Sequence, residues 1–407
     1  MTSEQLLAEA GKLEENLLKD RCYLHSHPGT GFDLSETIAY VKSELTAIGC
    51  EPQECGQAGL IVTIGGKRPG KVFLIRGDMD ALPIKEEADV PFTSANGKMH
   101  ACGHDMHTSM LLGAARLLKD HEDEINGTVK LMFQPAEEIF AGAKDMIDAG
   151  VLKNPDVDAA LMIHVMAGLP LSAGTVVACD GGVSAPAADY FEIKIQGKGC
   201  HGSMPNAGVD PVTAAAHIIT ALQEIHAREL ALMDEAVLTI GTIHAGLAAN
   251  VIPDTVEMSG TIRTYDEEVR AFIKTRMEDI VKSIGAAFRA DAQVIHSKGC
   301  PVLENDASLS ACTVRYLQEI LGPGKAFSQG QLTAMAGGKA PKTTGSEDFA
   351  FVSQKVPSIM LALAAGHPDN GYCYPQHHPK VKFDEEVLVP GSAVYAYTAM
   401  RWLEEHI

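Results

Sequence analysis

The first half of the chain alternates short apolar runs with longer amphipathic stretches. The apolar runs typical of buried strands are LIVTIGG (60–66), KVFLIRGDMD (71–80), GTVKLMFQPAEE (127–138) and DAALMIHV (158–165). Helical patterns lie between them, near 107–120 and 140–149. Apolar strands separated by helices predict an α/β fold with a largely parallel sheet covered on both faces.

The segment 187–299 has a different pattern. It predicts a strand, a helix, two strands, a helix and a strand, at residues 189–199, 209–228, 236–246, 255–266, 267–286 and 291–299. This β-α-β-β-α-β order is typical of ferredoxin-like α+β domains. We therefore expect an inserted domain at 187–299 and a parent domain made of 1–186 and 300–407.

Composition agrees with two domains in one globular chain. A length of 407 residues, with 46% hydrophobic and 21% charged residues, exceeds what one core usually spans. The formal charge of −20 argues against nucleic acid or an anionic membrane as a partner. The N-terminus has no apolar run like that of a signal peptide, and no stretch reaches the roughly 18–20 apolar residues that span a bilayer. We therefore expect a cytoplasmic protein.

Polar side chains follow several of the predicted strands. Asp78 and Asp80 end one strand, Glu137 and Glu138 end another, and His164 ends a third. In open α/β sheets, ligands bind outside the carboxyl ends of the strands. The sequence therefore predicts a functional site at this edge of the sheet.

The segment KMHACGHDMHT (98–108) adds a thiol and imidazoles, which alone could indicate a reactive cysteine, half of a disulfide or a metal site. Nine scattered cysteines and no export signal disfavour a disulfide framework. Cys102 and His104 are spaced to contact one ion, and QPAEE (134–138) and YPQHHP (374–379) offer carboxylates and further histidines. Thiolate, imidazole and carboxylate are ligands of zinc-like ions, so the later motifs favour a metal site.

With these motifs the chain resembles the M20 family of metallopeptidases. The resemblance is to its branch of N-acyl-amino-acid and hippurate amidohydrolases and plant auxin-conjugate hydrolases. The matching motifs, in family order, are RGDMDALP (76–83), GKMHACGHDMHT (97–108), FQPAEE (133–138), IHV (163–165), GKGCHGSMPNAGVDPV (197–212), NVIPD (250–254), GTIRTYD (260–266), GSEDFAF (345–351) and HHPKVKFDEE (377–386). The resemblance implies a zinc-peptidase-type catalytic domain with two metal ions, an inserted dimerisation or lid domain, and a homodimer or higher homo-oligomer.

The resemblance also implies a ligand set. Cys102 would bridge two divalent ions, zinc or manganese with cobalt or nickel possible, and the other ligands would be His104, Glu138, His164 and His377. His377 is preferred over His378 because the family's last ligand stands as His-x-Pro and Pro379 follows His378.

Glu137 would act as general base and acid on a water that the ions share. Asp80 is expected to accept a hydrogen bond from the far nitrogen of a ligand histidine, His104.

The inserted domain is expected to contribute to substrate binding. Arg263 and Asn250 are candidates to bind the free carboxylate of an N-acyl amino acid. In the family, the residue matching His201 stabilises the tetrahedral oxyanion, commonly in the active site of the partner subunit.

Other polar residues near the motifs are interpreted as structural. His25 and His27 are expected to support a packed turn, and His100 and His107 to lie near the ligands without binding metal. Asp105 is expected either to orient a ligand or to cap the following helix. Ser346 is predicted to cap a helix that begins in GSEDF.

The leading functional hypothesis is metal-dependent hydrolysis of the amide bond in a small-molecule N-acyl amino acid. A dipeptidase or an N-acetyl-diaminopimelate-type deacetylase is the alternative enzyme. A non-catalytic metal-binding or interaction protein is the alternative from another class.

Overall fold

The computed structural model of the chain describes residues 2–338 and 342–406. Its helices are α1 (Ser3–Gly11), α2 (Glu14–Ser26), α3 (Ser35–Ala47), α4 (His104–Asp120), α5 (Gly142–Asp148), α6 (Pro211–Glu224), α7 (Glu267–Ala287), α8 (Ala307–Leu321), α9 (Gln329–Met335), α10 (Ala350–Ser353) and α11 (Leu388–Glu405). Its strands are β1 (Gln53–Cys55), β2 (Gly59–Gly65), β3 (Val72–Asp78), β4 (Thr128–Gln134), β5 (Ala159–Met166), β6 (Val176–Ala178), β7 (Gly182–Ala185), β8 (Ala187–Gln196), β9 (Cys200–His201), β10 (Ala236–Ala245), β11 (Val251–Ile252), β12 (Thr255–Thr264), β13 (Asp291–Cys300), β14 (Leu303–Asn305), β15 (Ala326–Ser328) and β16 (Ser358–Ala364).

The described residues form two compact units. Unit 1 comprises 2–184, 304–338, 342 and 347–406, and unit 2 comprises 185–303 and 343–346. Each unit has its own cluster of buried apolar side chains. The expected dimerisation or lid role of the inserted segment stays a prediction.

The large sheet of unit 1 has the strand order β1-β2-β4-β3-β5-β16-β6-β15. Its centre is parallel, because β4 pairs with β3, β3 with β5 and β5 with β16 in the same direction. β1 and β2 extend it in antiparallel fashion on one side, and β16 and β6 are antiparallel on the other. The predicted, largely parallel α/β sheet is confirmed.

The centre of this sheet is covered on both faces. Every residue of β3 is buried, which is typical of a strand between two layers of side chains. Phe73 and Ile75 belong to the large apolar cluster, and α4 and α11 both pack against β3. Arg76, the next residue along, is also fully buried, so the sheet interior contains a charged group.

Unit 2 contains an antiparallel sheet with the order β10-β12-β8-β13. Helices α6 and α7 pack against each other and contact β8 and β12. The buried apolar side chains of β8, such as Phe191 and Ile193, belong to the unit's own core. The chain order strand, helix, two strands, helix, strand is the predicted ferredoxin-like arrangement.

Several element boundaries differ from the predicted ones for local reasons. β4 ends at Gln134 rather than 138, because Pro135 has no amide hydrogen for the ladder and Ala136 has a φ of 55°. α4 begins at His104 rather than near 107, after Gly103 in the left-handed region with a φ of 90°. Both differences bring predicted site residues to the first positions after a sharp turn.

The predicted helix cap at Ser346 is wrong. α10 begins at Ala350, and its N-cap residue is Phe349, which makes no side-chain capping bond.

None of the helices in the described part of the chain is long and apolar enough to cross a bilayer.

Candidate active site

The predicted site residues of unit 1 come from the ends of neighbouring strands and the loops after them. Asp80 follows β3, Glu137 and Glu138 follow β4, and His164 lies near the end of β5. β3 pairs in parallel with both β4 and β5, so these carboxyl ends lie side by side. Cys102 lies two residues before the start of α4, which packs against β3.

Two overlapping sets of the predicted ligands could each hold a cation. The ligand atoms of Cys102, His104 and His164 lie within 4.8 Å of one another, and so do those of Cys102, Glu138 and His377. Cys102 belongs to both sets. The structure therefore brings together the five residues that the sequence predicts as ligands, with the thiol in the shared position.

Two buried polar atoms among the predicted ligands lack a hydrogen-bond partner in the described part of the chain, as expected if a cation binds between them. His104 Nε2 and Glu138 Oε1 are buried and have no hydrogen-bond partner among the described residues, although they lie 4.0 Å apart. A buried polar atom without a partner is costly, so native proteins rarely leave one. A divalent ion bound by thiolate, imidazole and carboxylate would satisfy both atoms.

His104 is oriented by the main chain of Asp80. Its Nδ1 donates to the Asp80 carbonyl oxygen over 2.8 Å, which leaves the Nε2 lone pair free for a ligand. The sequence predicts this contact for the Asp80 carboxylate, which lies farther from Nδ1, at 3.6 Å. The carboxylate instead accepts hydrogen bonds from the amides of Glu137 at 2.9 Å and Glu138 at 3.3 Å. Asp80 thus fixes the turn that carries both glutamates.

His164 is oriented in a similar way. Its Nδ1 donates to the carbonyl oxygen of Val165 over 2.8 Å, and its Nε2 lies 3.5 Å from Cys102 Sγ. Burial opposes a charge on His164, but the neighbouring Cys102 raises its pKa above the usual value. Protons therefore compete with metal ions for this nitrogen.

His377 differs from the other ligands. Its side chain is 53% exposed, its φ is 66°, and its Nε2 lies 3.5 Å from Glu138 Oε1. His378, the other candidate, has its Nδ1 bonded to the amide of Lys380 at 3.1 Å and its ring stacked on Tyr374. The structure places His377, and not His378, beside the other predicted ligands.

Glu137 is buried next to these ligands. Its Oε2 lies 4.0 Å from His104 Nε2, and its Oε1 accepts a hydrogen bond from the amide of Asp348 at 3.4 Å. Burial raises the pKa of Glu137 well above its usual value, and the nearby carboxylates of Glu347 and Glu138 raise it further. A carboxyl group with a raised pKa is suited to taking up and returning a proton near neutral pH.

Two buried residues behind the ligands were not predicted as functional. His107 Nδ1 donates to Asp78 Oδ1 over 2.5 Å, and His107 Nε2 accepts from the amide of Val165 over 2.8 Å. Burial lowers the pKa of His107 to about 4, so the ring is neutral. The sequence contains a signal that could have identified both residues. Asp78 lies at the same strand end as Asp80, and His107 lies one helical turn from His104.

His25 and His27, which the sequence predicts to be structural, have partners within unit 1. His25 bridges two carboxylates, with Nδ1 2.7 Å from Asp105 Oδ2 and Nε2 2.8 Å from Glu86 Oε1. His27 Nδ1 lies 2.8 Å from the carbonyl oxygen of Tyr23. These contacts agree with structural roles for both histidines, which stay predictions. Asp105 makes no side-chain cap of α4.

The three predicted substrate-binding residues all lie in unit 2. The Nδ1 of the exposed His201 accepts from Ser203, at 3.2 Å from its amide and 2.8 Å from its hydroxyl oxygen. β9 pairs with β11, so His201 lies opposite Val251, next to the exposed Asn250. Arg263 donates to the Ser346 hydroxyl over 2.6 Å. The substrate and oxyanion roles of these residues stay predictions.

Comparisons with known proteins point to one family. The model of peptidase family M20/M25/M40 matches residues 74–401. N-acetyl-L-cysteine deacetylase of Bacillus subtilis (strain 168) is 37% identical over 396 residues, 97% of this chain and 90% of that protein. IAA-amino acid hydrolase ILR1-like 2 of Arabidopsis thaliana is 35% identical over 404 residues, 98% of this chain and 88% of that protein.

A solved structure agrees with these relatives. The YXEP protein of Bacillus subtilis, described as a dinuclear metal binding peptidase from the M20 family, superimposes with a TM-score of 0.78. It is 33% identical in sequence, and the match covers 98% of this chain and 100% of that one. The chain belongs to peptidase family M20/M25/M40, in the branch of metal-dependent amidohydrolases.

Proposed function

We propose that the protein hydrolyses the amide bond of N-acyl amino acids, releasing a carboxylic acid and a free amino acid. The observation that carries this proposal is the buried Glu137 carboxyl, whose Oε2 lies 4.0 Å from His104 Nε2, next to the predicted metal ligands. The names of the deacetylase and the IAA-amino acid hydrolase support an acylated amino acid as the substrate class.

The proposal includes two divalent ions per subunit. Cys102 would contact both, with His104 and His164 on one side and Glu138 and His377 on the other. When bound, such ions polarise an amide carbonyl and make water more acidic. Zinc or manganese suits this mixed donor set, and cobalt or nickel can replace them.

Glu137 is the proposed proton carrier. Its carboxylate takes a proton from the attacking water and delivers it to the leaving nitrogen, so no free amide anion has to form. The Asp80 carboxylate supports this role because it holds the amides of Glu137 and Glu138. Delivery of the proton to the leaving nitrogen returns Glu137 to its carboxylate form.

Binding of the substrate's free carboxylate is assigned to Arg263 and Asn250, and oxyanion stabilisation to His201. A guanidinium binds a carboxylate through charge-assisted hydrogen bonds. We further infer a homodimer in which His201 acts in the partner's active site.

Hydrolysis of a substrate panel tests the proposed function. The metal-reconstituted protein is assayed for amine release from N-acetyl, N-benzoyl and indole-acetyl amino acids and from dipeptides. We expect turnover of N-acyl amino acids and a loss of at least about 1,000-fold in kcat for Glu137→Gln, with unchanged metal content. Glu54→Gln, at a 74% exposed side chain, is the matched control. Bound metal without hydrolysis of any substrate would support the non-catalytic alternative instead.

The carboxylate contact has its own test. Arg263→Ala should raise KM for an N-acetyl amino acid by about 10-fold or more and leave KM for the corresponding amino-acid amide nearly unchanged. An unchanged KM for the free acid would rule out the proposed contact.

The contribution from the partner subunit is tested by mixing. His201→Ala and Glu137→Ala proteins should each be nearly inactive, and re-associated mixtures should regain activity. Absence of recovery in mixtures shown to exchange subunits would exclude a trans contribution.

A further inference from the structure

Arg76 is a fully buried charge in the centre of the unit 1 sheet, and the proposed reaction gives it no role. Its Nε donates to Gln134 over 2.8 Å and its Nη1 to Asp78 over 2.7 Å. Its Nη2 donates to Glu347 over 2.8 Å and to Asp348 over 3.1 Å. One guanidinium therefore joins the ends of β3 and β4 to the segment before α10.

Stability alone is a poor explanation for this arrangement. Burying ions costs several kcal/mol each, and well-packed apolar residues of similar volume often stabilise a fold equally well. A planar guanidinium does something that an apolar side chain cannot, because it fixes several acceptors in defined directions. The further contacts of the four residues that accept from Arg76 show which side chains the guanidinium holds in place.

On one side, the Arg76 contacts lead to the metal ligands. Asp78 Oδ2, which binds Arg76, lies 3.5 Å from His104 Nε2. Asp78 Oδ1 lies 2.5 Å from His107 Nδ1, and the His107 ring makes an edge contact with His164 at 4.8 Å between centroids. Asp78 thus sets the position of side chains against which both ligand histidines pack.

On the other side, the contacts lead to Glu137. Asp348 accepts hydrogen bonds from Gln134 Nε2 at 2.6 Å and from the amide of Ala143 at 3.0 Å. Its own amide donates to Glu137 Oε1 over 3.4 Å. Glu347 belongs to the same compact carboxylate group, whose oxygens lie within 4.8 Å of one another.

We propose that Arg76 is a positioning residue that holds the proton-carrying Glu137 and the metal-ligand histidines in one fixed relative geometry, acting through Asp348 and Asp78. This inference rests on the proposed function, because it assigns Arg76 to the same reaction. It goes beyond that function, because Arg76, Glu347 and Asp348 lie outside the five-ligand group.

The test compares two buried arginines in the same unit. Arg76→Lys keeps the charge but cannot reach all four acceptors. Arg116→Lys is the matched control, since Arg116 is 6% exposed and pairs with Asp20 at 2.5 Å and Glu44 at 2.9 Å. Each variant is measured for thermal stability, kcat, KM and the absorption spectrum of the Co²⁺-loaded protein.

For Arg76→Lys we expect kcat to fall about 100-fold with KM within about twofold, because small displacements of reacting groups cost that much. The Co²⁺ spectrum should also shift, since the ligand surroundings change. Arg116→Lys should lose similar thermal stability but keep the kcat and spectrum of the unaltered protein. Equal kcat values for the two variants, or an unshifted spectrum for Arg76→Lys, would overturn the inference.

A second variant keeps the inference testable if Arg76→Lys does not fold. Asp348→Asn retains the shape and leaves Arg76 in place, and it should lower kcat by roughly tenfold with KM unchanged. An unaltered kcat for folded Asp348→Asn would count against the proposal. If the unaltered protein hydrolyses no N-acyl amino acid, the proposed function fails, while the Co²⁺ spectra still decide whether Arg76 positions the ligands.

Discussion

At the scale of single residues, His100 is unusual among the buried side chains near the candidate site. It is 1% exposed, and neither ring nitrogen has a hydrogen-bond partner among the described residues. Burial lowers the pKa of His100 from 6.5 to about 3. The folded protein therefore keeps this ring neutral under conditions in which the unfolded chain protonates it.

This difference predicts a pH dependence of stability. Between pH 6.5 and 3 the unfolded state binds a proton that the folded state does not, so His100 contributes stability above this range that is lost as pH falls through it. Within this range, the loss is about 1.4 kcal/mol for each pH unit. In His100→Phe this contribution disappears. Urea unfolding at pH 7.5 and 5.5 measures the free energy of unfolding of both proteins. This free energy should decrease less between the two pH values for His100→Phe than for the unaltered protein. Equal decreases would contradict the assignment to His100.

At the scale of elements, Lys130 shows how a buried charge on a strand shapes a neighbouring segment. Lys130 lies on β4 and is fully buried. Its Nζ donates to the carbonyl oxygens of Val151 at 3.0 Å, Lys153 at 2.8 Å and Pro155 at 2.9 Å. Burial lowers the pKa of Lys130, but the three acceptors satisfy its hydrogens. The ammonium thus anchors the turns that follow α5.

Lys130→Met should destabilise the protein by about 3 kcal/mol, because it leaves these carbonyl groups without their donor. Lys71→Met is the control, since Lys71 is 51% exposed and pairs with Asp158 at the surface. That change should cost less than about 0.5 kcal/mol. Urea unfolding measures both variants, and equal losses would show that the buried contacts are unimportant.

The loops that carry the ligands also differ in how firmly they are held. His104 is buried and His164 is half-buried, and each has its Nδ1 bonded to a carbonyl oxygen. His377 is largely exposed and has a positive φ. Preorganised ligands bind an ion more tightly than ligands that must first be ordered.

We therefore expect a chelator to remove metal in two stages. The ion held by Glu138 and His377 should leave first, and His377→Ala should retain about one ion per chain after dialysis. Cys102→Ala should lose both ions, because Cys102 belongs to both ligand sets. Elemental analysis measures the content, and loss of both ions in a single stage from the unaltered protein would contradict this order.

At the scale of the whole molecule, unit 2 has the features of an independently folding domain. Its core is formed by side chains from β8, β12, β13, α6 and α7, and partly buried residues of β10 pack against it. Ile193, Ile218 and Met277 are fully buried representatives of β8, α6 and α7. A domain with its own core can in principle fold alone.

The fragment 185–303 should therefore fold without the rest of the chain. We expect a cooperative thermal transition by circular dichroism and dispersed NMR spectra. Ile193→Asp places an unpaired charge in the core, so it should abolish the transition. A fragment that lacks a cooperative transition would show that unit 2 depends on the remainder of the chain.

The sequence by itself determined the main elements of 60–165 and 189–299 and the residue types at the site. Apolar periodicity predicted the main strands and helices, because a strand buried on both faces and an amphipathic helix each have a characteristic repeat. It also predicted which residues end adjacent strands, and parallel pairing then brings Asp80, Glu137 and Glu138 near His164. The motif order identified the family through local residue patterns.

Only the tertiary structure decided which charged groups pair. Arg76 and Glu347 are 271 positions apart, and no local pattern links them. Asp80 orients His104 with its main-chain oxygen rather than its carboxylate, and Ser346 binds Arg263 rather than capping a helix. Such contacts depend on where the folded backbone brings distant side chains together, whereas local periodicity reports only which face of an element is buried.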